Sequence, residues 1–283
     1  MSLIEAAINK AKELAASSQT EAGAITSDRA LKQPRRSPSG ARHRVPVAAP
    51  LHQARTFKPA TTDPGIMEQH GVLLQLRDET AERSYKILRT RVQQRMEESA
   101  LHSMAITAAG AGDGKTLTAI NVAIAMARDI NTWVFLVDLD MQRPKVSTYL
   151  GLQYDKGLSD YLAGTATFDE IVYEPGVERL AVIPNGRPLE QSSELLASPR
   201  MSELIRSLAA EVPRRVVIFD MPPLLLSDDV LRFLPNVDGL LLVVSEARTQ
   251  RAALSHAREL LPEDKLLGVV LNRSHEREES GYY

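Results

Sequence analysis

One octapeptide of the chain reads Ala109-Gly110-Ala111-Gly112-Asp113-Gly114-Lys115-Thr116. It joins an apolar run (Met104–Ala108) to a helical stretch (Leu117–Arg128). The glycines let the backbone curl until several amides point inward, and these amides form an anion site with the helix N-terminus. The lysine can reach the β- and γ-phosphates of a nucleotide, and the threonine hydroxyl can ligate Mg²⁺. The octapeptide therefore predicts a phosphate-binding loop, with a chance glycine-rich turn as the alternative.

Apolar runs alternate with helical stretches on both sides of this loop. Nearly continuous apolar runs are typical of parallel strands that are buried on both faces. Their alternation with helices implies right-handed crossovers. The predicted strands are Met104–Ala108, Val134–Asp138, Leu180–Pro184, Val216–Asp220, Leu240–Ser245 and Leu267–Asn272. The sequence thus predicts an α/β fold with a doubly wound, mainly parallel sheet.

Acidic residues end two of these predicted strands. Asp138 and Asp140 follow the second strand, and Asp220 ends the fourth. Ligands collect at the carboxyl ends of parallel strands, and a carboxylate beside a phosphate loop can hold a magnesium-bound water. Each aspartate could instead cap a helix or stabilise a turn. The phosphate loop upstream favours metal-binding or catalytic roles for all three residues.

The region before the sheet divides by composition. An amphipathic helix is predicted for residues 1–17, and a disordered basic linker is predicted for residues 18–62. Between residues 18 and 60 the linker carries eight Lys and Arg residues against Glu21 and Asp28. It has too few large apolar residues to offset its ordering entropy. It is predicted to be a solvated linker or an arm that contacts anionic lipid or an acidic partner. No nucleic acid is expected, because no aromatic residues alternate with the charges.

The remaining boundaries follow from helix signals. Asp63-Pro64 reads as a helix N-cap followed by proline at the first helical position, which predicts a short helical segment within residues 63–77. A longer helix is predicted from about Thr80 to Met96. The main domain is predicted to span residues 78–274, and residues 275–283 are predicted to form a flexible tail.

Overall composition excludes several classes of protein. With 43% hydrophobic and 25% charged residues, the chain can bury a core like that of an ordinary soluble domain. The chain has no cysteine, which excludes disulfide scaffolds, zinc knuckles, iron–sulfur ligation and thiol nucleophiles. Neither a membrane-spanning run nor a signal peptide is recognisable. A cytoplasmic location is expected.

Several motifs together resemble the bacterial P-loop tyrosine autokinases (BY-kinases) of capsule and exopolysaccharide loci. The phosphate loop, the Asp138-Leu139-Asp140 motif and the Asp220-Met221-Pro222-Pro223 strand end carry the resemblance. Further matching segments are residues 157–164, 182–186, 194–196 and 237–239. The first seven residues and the basic linker resemble the exosortase-associated subgroup.

The resemblance implies a P-loop NTPase fold with ATP and Mg²⁺ as cofactors. Asp138 would activate a tyrosine hydroxyl, Asp140 would complete the metal shell, and Lys115 would bind phosphates. The metal-binding residues would be Thr116, Asp138 and Asp220. The nucleotide-binding residues would be Gly110, Ala111, Gly112, Asp113, Gly114, Lys115, Thr116, Leu117 and Asn272. The phosphoacceptors would be Tyr282 and Tyr283, reached by a neighbouring copy in a homo-oligomer.

The chain departs from the family pattern at three places. The oligomerisation signature Glu-x-x-Arg-x-x-Arg aligns with Arg83, Lys86 and Arg89, so its glutamate is replaced. The arginine that usually follows the second acidic motif is Gln142. The tyrosine-rich tail is reduced to Tyr282-Tyr283.

Two alternatives stay open beside the kinase hypothesis. One is an ATPase of the partition or septum-site type, which the chain matches poorly because Gly110 stands where that class carries a second lysine. The other is a nucleotide-binding scaffold that regulates polysaccharide synthesis without phosphorylating protein. The family also implies a membrane-embedded chain-length or copolymerase partner that recruits the kinase to the inner face of the membrane.

Overall fold

The computed structural model describes residues 57–75, 78–129, 132–189, 192–211, 214–246 and 248–274. The predicted helix of residues 1–17, the linker up to residue 56 and the tail of residues 275–283 lie outside the described residues. Tyr282 and Tyr283 belong to that tail. These expectations therefore stay predictions.

The strands of the described residues form one sheet. They are β1 (Lys58–Pro59), β2 (Ser103–Ala108), β3 (Trp133–Asp138), β4 (Tyr173–Glu174), β5 (Leu180–Ile183), β6 (Arg215–Asp220), β7 (Gly239–Ser245) and β8 (Leu266–Asn272). Their order is β1-β4-β5-β3-β6-β2-β7-β8. Only the β4–β5 pair is antiparallel among the described strands. The predicted doubly wound, mainly parallel sheet is confirmed.

Helices cover both faces of this sheet. The α-helices of the described residues are α1 (Pro64–His70), α2 (Glu79–Glu98), α3 (Lys115–Ala127), α4 (Val146–Leu150), α5 (Leu158–Leu162), α6 (Phe168–Ile171), α7 (Ser192–Leu196), α8 (Pro199–Ala210), α9 (Asp229–Phe233) and α10 (Arg251–Leu260). Residues of α1–α4 fill an apolar layer with one face of the sheet, and residues of α5 and α8–α10 fill the other. No helix of this described part combines the length and the hydropathy that crossing a bilayer requires.

The local helix signals hold in the structure. Asp63 accepts hydrogen bonds from the amides of Gly65 and Ile66, at 2.8 and 3.1 Å, and Pro64 begins α1 as predicted. Gly71 ends α1 in the left-handed conformation, with φ of 76°. The helix predicted from Thr80 to Met96 is α2, whose end residues are Glu79 and Glu98.

The predicted linker boundary at residue 62 is wrong. Lys58 and Pro59 form β1, which pairs in parallel with β4 at the edge of the sheet. Phe57 is buried, and its ring packs edge-on against Trp133 and Phe135, with ring centroids 5.8 and 5.6 Å away. Both β1 and β4 are two residues long, too short for an apolar pattern to reveal them. The sheet and its aromatic packing thus extend into the sequence expected to be linker.

The register of the strands places the acidic residues side by side. Asp138 at the end of β3 pairs with Asp220 at the end of β6. The neighbouring strand β2 leads directly into the phosphate loop, and Asn272 ends β8 at the same edge of the sheet. All of the predicted catalytic and metal-binding residues within the described chain therefore meet at one edge.

Asp238 fastens the opposite end of the central strands. Its carboxylate Oδ2 accepts hydrogen bonds from the amides of His102 and Ser103, at 2.8 and 2.9 Å, and from the Ser103 hydroxyl at 2.9 Å. These bonds join the beginning of β2 to the beginning of β7. The carboxylate thus holds the strand that carries the phosphate loop from the end remote from that loop.

We expect Asp238→Ala to lower the free energy of unfolding by about 1–3 kcal/mol, because it leaves the strand amides without their charged acceptor. Urea unfolding checks this value. Asp264→Ala is the control, since no hydrogen bond of its carboxylate is seen within the described residues, and it should change stability by less than about 0.5 kcal/mol. Equal stability of the two variants would contradict the role of Asp238.

Candidate active site

The phosphate loop is held in its curled form by side chains at both ends. The Gly110 amide donates to the Asp113 carboxylate at 3.1 Å, and Asn272 Nδ2 donates to the Asp113 carbonyl at 2.9 Å. Gly112 and Gly114 take φ values of 83° and 94°, which L-residues rarely adopt. A Cβ on Gly114 would also lie 2.0 Å from Asn272 Nδ2. Glycine is therefore required at position 114 by both conformation and space.

The loop leads straight into α3, whose first residue is Lys115. Its N-cap, Gly114, supplies no side-chain hydrogen bond to the first-turn amides. Unsatisfied amides and the positive end of the helix dipole attract phosphate groups. Helix α3 begins two residues earlier than the sequence predicts, so the predicted loop residues Lys115 and Thr116 lie on its first turn. The structure thus presents an anion site where the octapeptide predicts one.

Lys115 lies between two carboxylates at the strand ends. Its Nζ is 2.9 Å from Asp140 Oδ2 and 3.4 Å from Asp220 Oδ1, and it donates to the Thr116 hydroxyl at 3.2 Å. Burial by itself lowers the pKa of the amine, but the charges of Asp220 and Asp140 outweigh burial and raise this pKa. The amine therefore stays protonated, as a group that binds phosphate must.

Thr116 and Asp220 form a pair of oxygen donors. The Thr116 hydroxyl donates to Asp220 Oδ2 at 2.7 Å, and Asp220 is fully buried. The pKa of Asp220 is raised, because burial outweighs the charge of Lys115 and the hydrogen bond from the Thr116 hydroxyl, which both lower it. Mg²⁺ prefers oxygen ligands and is usually held by one or two carboxylates plus substrate phosphates. The donor set fits this pattern, and the described residues hold no cluster of three or more Asp, Glu, His or Cys placed to bind a metal.

Asp138 has a different environment from the other two aspartates. Its oxygens accept hydrogen bonds from the backbone amides of Asp140, Lys145 and Val146, at 3.2, 3.1 and 3.0 Å. The side chain is fully buried and does not line the cleft at the phosphate loop. Burial and the neighbouring charge of Asp220 raise the pKa of Asp138 to about 8. Asp138 thus shapes the segment 139–146, which carries Asp140.

The cleft at this edge of the sheet has a volume of about 360 Å³. Six of the residues predicted to bind nucleotide line it: Ala111, Gly112, Gly114, Lys115, Thr116 and Leu117. Asp140 also lines it, whereas Asp113 and Asn272 support the loop from behind. Sequence reasoning missed the rest of the lining, which includes Arg143, Lys145, Tyr149, Leu226 and Arg273. All of them except Tyr149, which lies on α4, follow a strand end by one to seven residues, and this is their one signal in the sequence.

One further cation missed from the sequence lies against the phosphate loop. A Cβ on Gly112 would be 3.0 Å from Nη2 of Arg248 and 3.1 Å from its Cζ. Arg248 belongs to the connection between β7 and α10, more than a hundred residues from the loop along the chain. The left-handed glycine therefore also leaves room for this guanidinium.

Comparisons with known proteins agree with this geometry. Residues 102–247 match the AAA domain family. The chain is 33% identical to the tyrosine-protein kinase YwqD of Bacillus subtilis over 204 residues, which covers 70% of this chain and 84% of that protein. It is 31% identical to the succinoglycan biosynthesis transport protein ExoP of Rhizobium meliloti over 63% of this chain and 23% of that protein.

A solved structure of a tyrosine kinase domain is also similar to this chain. The BceF tyrosine kinase domain superposes with a TM-score of 0.63 and 25% identity, covering 76% of this chain and 90% of that domain. The family resemblance seen in the sequence is thus confirmed, while the exosortase-associated subgroup stays a prediction. The chain belongs to the AAA domain family and, within it, to the bacterial tyrosine-protein kinases.

Proposed function

We propose that this chain is an ATP-dependent protein-tyrosine kinase that phosphorylates Tyr282 and Tyr283 of its own tail and regulates exopolysaccharide synthesis or export. One observation carries the proposal. Lys115, Thr116, Asp140 and Asp220 converge at the N-terminus of α3 in a chain that belongs to the bacterial tyrosine-protein kinases.

The phosphate loop and α3 would hold the triphosphate of ATP. Phosphoryl transfer needs positioning and charge neutralisation rather than a covalent nucleophile. Lys115 would move its hydrogen bonds from Asp140 to the β- and γ-phosphates. Thr116 and Asp220 would hold Mg²⁺, which supplies further neutralisation of the phosphate charge when bound.

Transfer would form a bond between the tyrosine oxygen and the γ-phosphorus and break the bond from that phosphorus to the bridging oxygen. ADP leaves with the bonding electrons, and the hydroxyl proton passes to a carboxylate. We assign that carboxylate to Asp140, because it lines the cleft and would lose its Lys115 partner if the amine turned to phosphate. Asp138, which the family resemblance suggests for this role, would position Asp140 through the backbone.

The proposal on partner and location is supported by the relatives rather than by the site. ExoP is named for succinoglycan biosynthesis and transport. We therefore propose that the kinase works with a membrane-embedded chain-length or copolymerase protein at the inner face of the membrane. The homo-oligomer and the contact of the basic linker with anionic lipid are parts of the same proposal.

We expect Lys115→Ala to weaken ATP binding about ten- to a hundred-fold, because it removes charge-assisted hydrogen bonds worth about 1.5–3 kcal/mol. Isothermal titration calorimetry measures the affinity, and circular dichroism checks the fold. Lys156→Ala is the control, since Lys156 pairs with Glu170 away from the cleft. Unchanged affinity in a folded Lys115→Ala protein would contradict the nucleotide site.

Asp140→Asn should reduce transfer to tyrosine about a hundred-fold or more, as loss of a general base does. Asp138→Asn should instead speed hydrogen exchange of the Asp140 amide, or of the Lys145 and Val146 amides, about ten-fold or more, because an amide nitrogen replaces one of the two oxygens that accept from them. Hydrogen exchange and phosphotyrosine formation separate the two effects. If Asp138→Asn loses transfer with unchanged exchange, Asp138 and not Asp140 faces the hydroxyl.

Joint replacement of Tyr282→Phe and Tyr283→Phe should remove most autophosphorylation and leave ATP binding intact. The rate per subunit should also fall on dilution if the tail enters the site of another copy. Intact mass spectrometry over time measures both effects. Tyr154→Phe is the control. Phosphate found on Tyr85, Tyr149 or Tyr161, or a rate that ignores concentration, would contradict this tail assignment.

A further inference from the structure

The cleft extends beyond the phosphate loop to a rim with its own chemistry. We name the side chains of Arg143, Lys145 and Leu226 the acceptor rim. All three line the same cleft as Lys115 and Asp140. Arg143 and Lys145 come from the segment after β3, and Leu226 comes from the segment after β6. The rim therefore combines two cations with an apolar side chain next to the reacting groups.

Hydrogen bonds fix the backbone of the two cationic residues of the rim. The Arg143 amide donates to Asp140 Oδ1 and the Lys145 amide donates to Asp138 Oδ2, each at 3.1 Å. Their side chains are exposed, and within the described ranges neither takes part in an ion pair. Positive charge is thus held at the mouth of the cleft without a counter-charge from the described fold.

Leu226 is unusually exposed for a leucine beside an active site. Its exposed fraction is 63%, the highest among the large hydrophobic residues that the structure describes. Its amide donates to the Pro223 carbonyl at 3.0 Å, which fixes the turn after Pro222. Pro222 and Pro223 line the cleft beside it. These side chains form an apolar surface on which an aromatic ring can pack.

The tail of the chain has the complementary chemistry. Residues 275–283 contain Glu276, Glu278 and Glu279 with one arginine between them, followed by Tyr282 and Tyr283. Glu278 and Glu279 precede Tyr282 by four and three positions, which an extended chain spans in about 10–14 Å. An acidic segment can therefore contact cations at the mouth while its tyrosine enters the cleft.

We propose that the acceptor rim selects a tyrosine preceded by acidic residues three to six positions earlier, and that its occupant is the tail of another copy of this chain. Arg143 and Lys145 would bind the glutamates, and Leu226 would pack against the tyrosine ring. The inference rests on the proposed kinase activity. The competing role for the two cations is binding of ATP phosphates, which the kinetics separate.

Synthetic peptides of residues 275–283, used as substrates, test whether the acidic residues are required. The enzyme is the full-length kinase with Tyr282→Phe and Tyr283→Phe, so that its own tail does not compete. Replacing Glu276, Glu278 and Glu279 of the peptide by glutamine should raise its KM about ten-fold, at about two- to five-fold for each exposed ion pair. Added salt should raise the KM of the acidic peptide and hardly change that of the glutamine peptide, because salt screens exposed charges.

The kinase variant Arg143→Glu with Lys145→Glu provides the matched charge reversal. It should raise the KM of the acidic peptide more than ten-fold and change the KM of ATP less than three-fold. A peptide with lysine at the three glutamate positions should regain most of the lost efficiency. Arg232→Glu is the control, because Arg232 is exposed on α9 outside the cleft.

Leu226→Ala should raise the KM of every tyrosine peptide about three- to ten-fold, whatever its charge. Leu231→Ala serves as its control, since Leu231 is 37% exposed and does not line the cleft. Because the substitution removes a contact that binds the tyrosine ring and leaves the reacting groups in place, kcat should change less than KM.

Three results would overturn the inference while the kinase activity stands. They are equal KM values for the acidic and glutamine peptides, no rescue by the lysine peptide, and a KM for ATP that rises with the charge reversal while the peptide KM does not. The last result assigns the cations to the nucleotide. Absence of phosphotyrosine with any peptide and with the native tail would instead contradict the proposed function itself.

Discussion

The site depends on the compensation of buried charge at the ends of two neighbouring strands. The register of β3 and β6 brings Asp138 and Asp220 side by side in a fully buried position. An ionised carboxyl there costs free energy unless cations and hydrogen-bond donors face it, and burial accordingly raises the pKa of both aspartates. Lys115 supplies the cation, the Thr116 hydroxyl supplies a donor to Asp220, and backbone amides supply donors to Asp138. The first turn of α3 is thus tied to both strand ends by electrostatics.

This compensation also prepares the protein for phosphate. A lysine that neutralises buried acids stays protonated and close to the loop before any nucleotide arrives. If phosphate oxygens took over the Lys115 amine, as the proposed function requires, Asp140 would lose its partner within the cleft. Nucleotide binding would then make a carboxylate available. Preorganised charge of this kind is the largest contribution that proteins make to phosphoryl transfer.

Side chains in and beside the oligomerisation signature make contacts within one chain. Glu82, one position before the family's glutamate, pairs with Arg128 at 2.8 Å, and Arg128 lies at the end of α3. Arg89 donates to the Ala125 carbonyl at 3.3 Å. Side chains near or within this signature thus fasten α2 to α3.

Local sequence predicted most of the fold because its signals act over a few residues. The six apolar runs became β2, β3, β5, β6, β7 and β8. Each strand has one end as predicted and one end that differs from the prediction by one residue. The octapeptide likewise fixed the phosphate loop, since glycine spacing and a following helix are local properties. The short strands β1 and β4 escaped because two residues carry no periodicity.

Tertiary structure decided which residues distant in the sequence lie together at the site. Asp138 and Asp140 belong to one short acidic motif of the sequence, yet the chain turning into α4 surrounds Asp138 with amides and leaves Asp140 facing the cleft. Arg248 reaches Gly112, and Leu226 joins Arg143 at the rim, only because the strand order brings these loops to one edge. No spacing along the chain encodes such contacts, since they depend on which strands become neighbours.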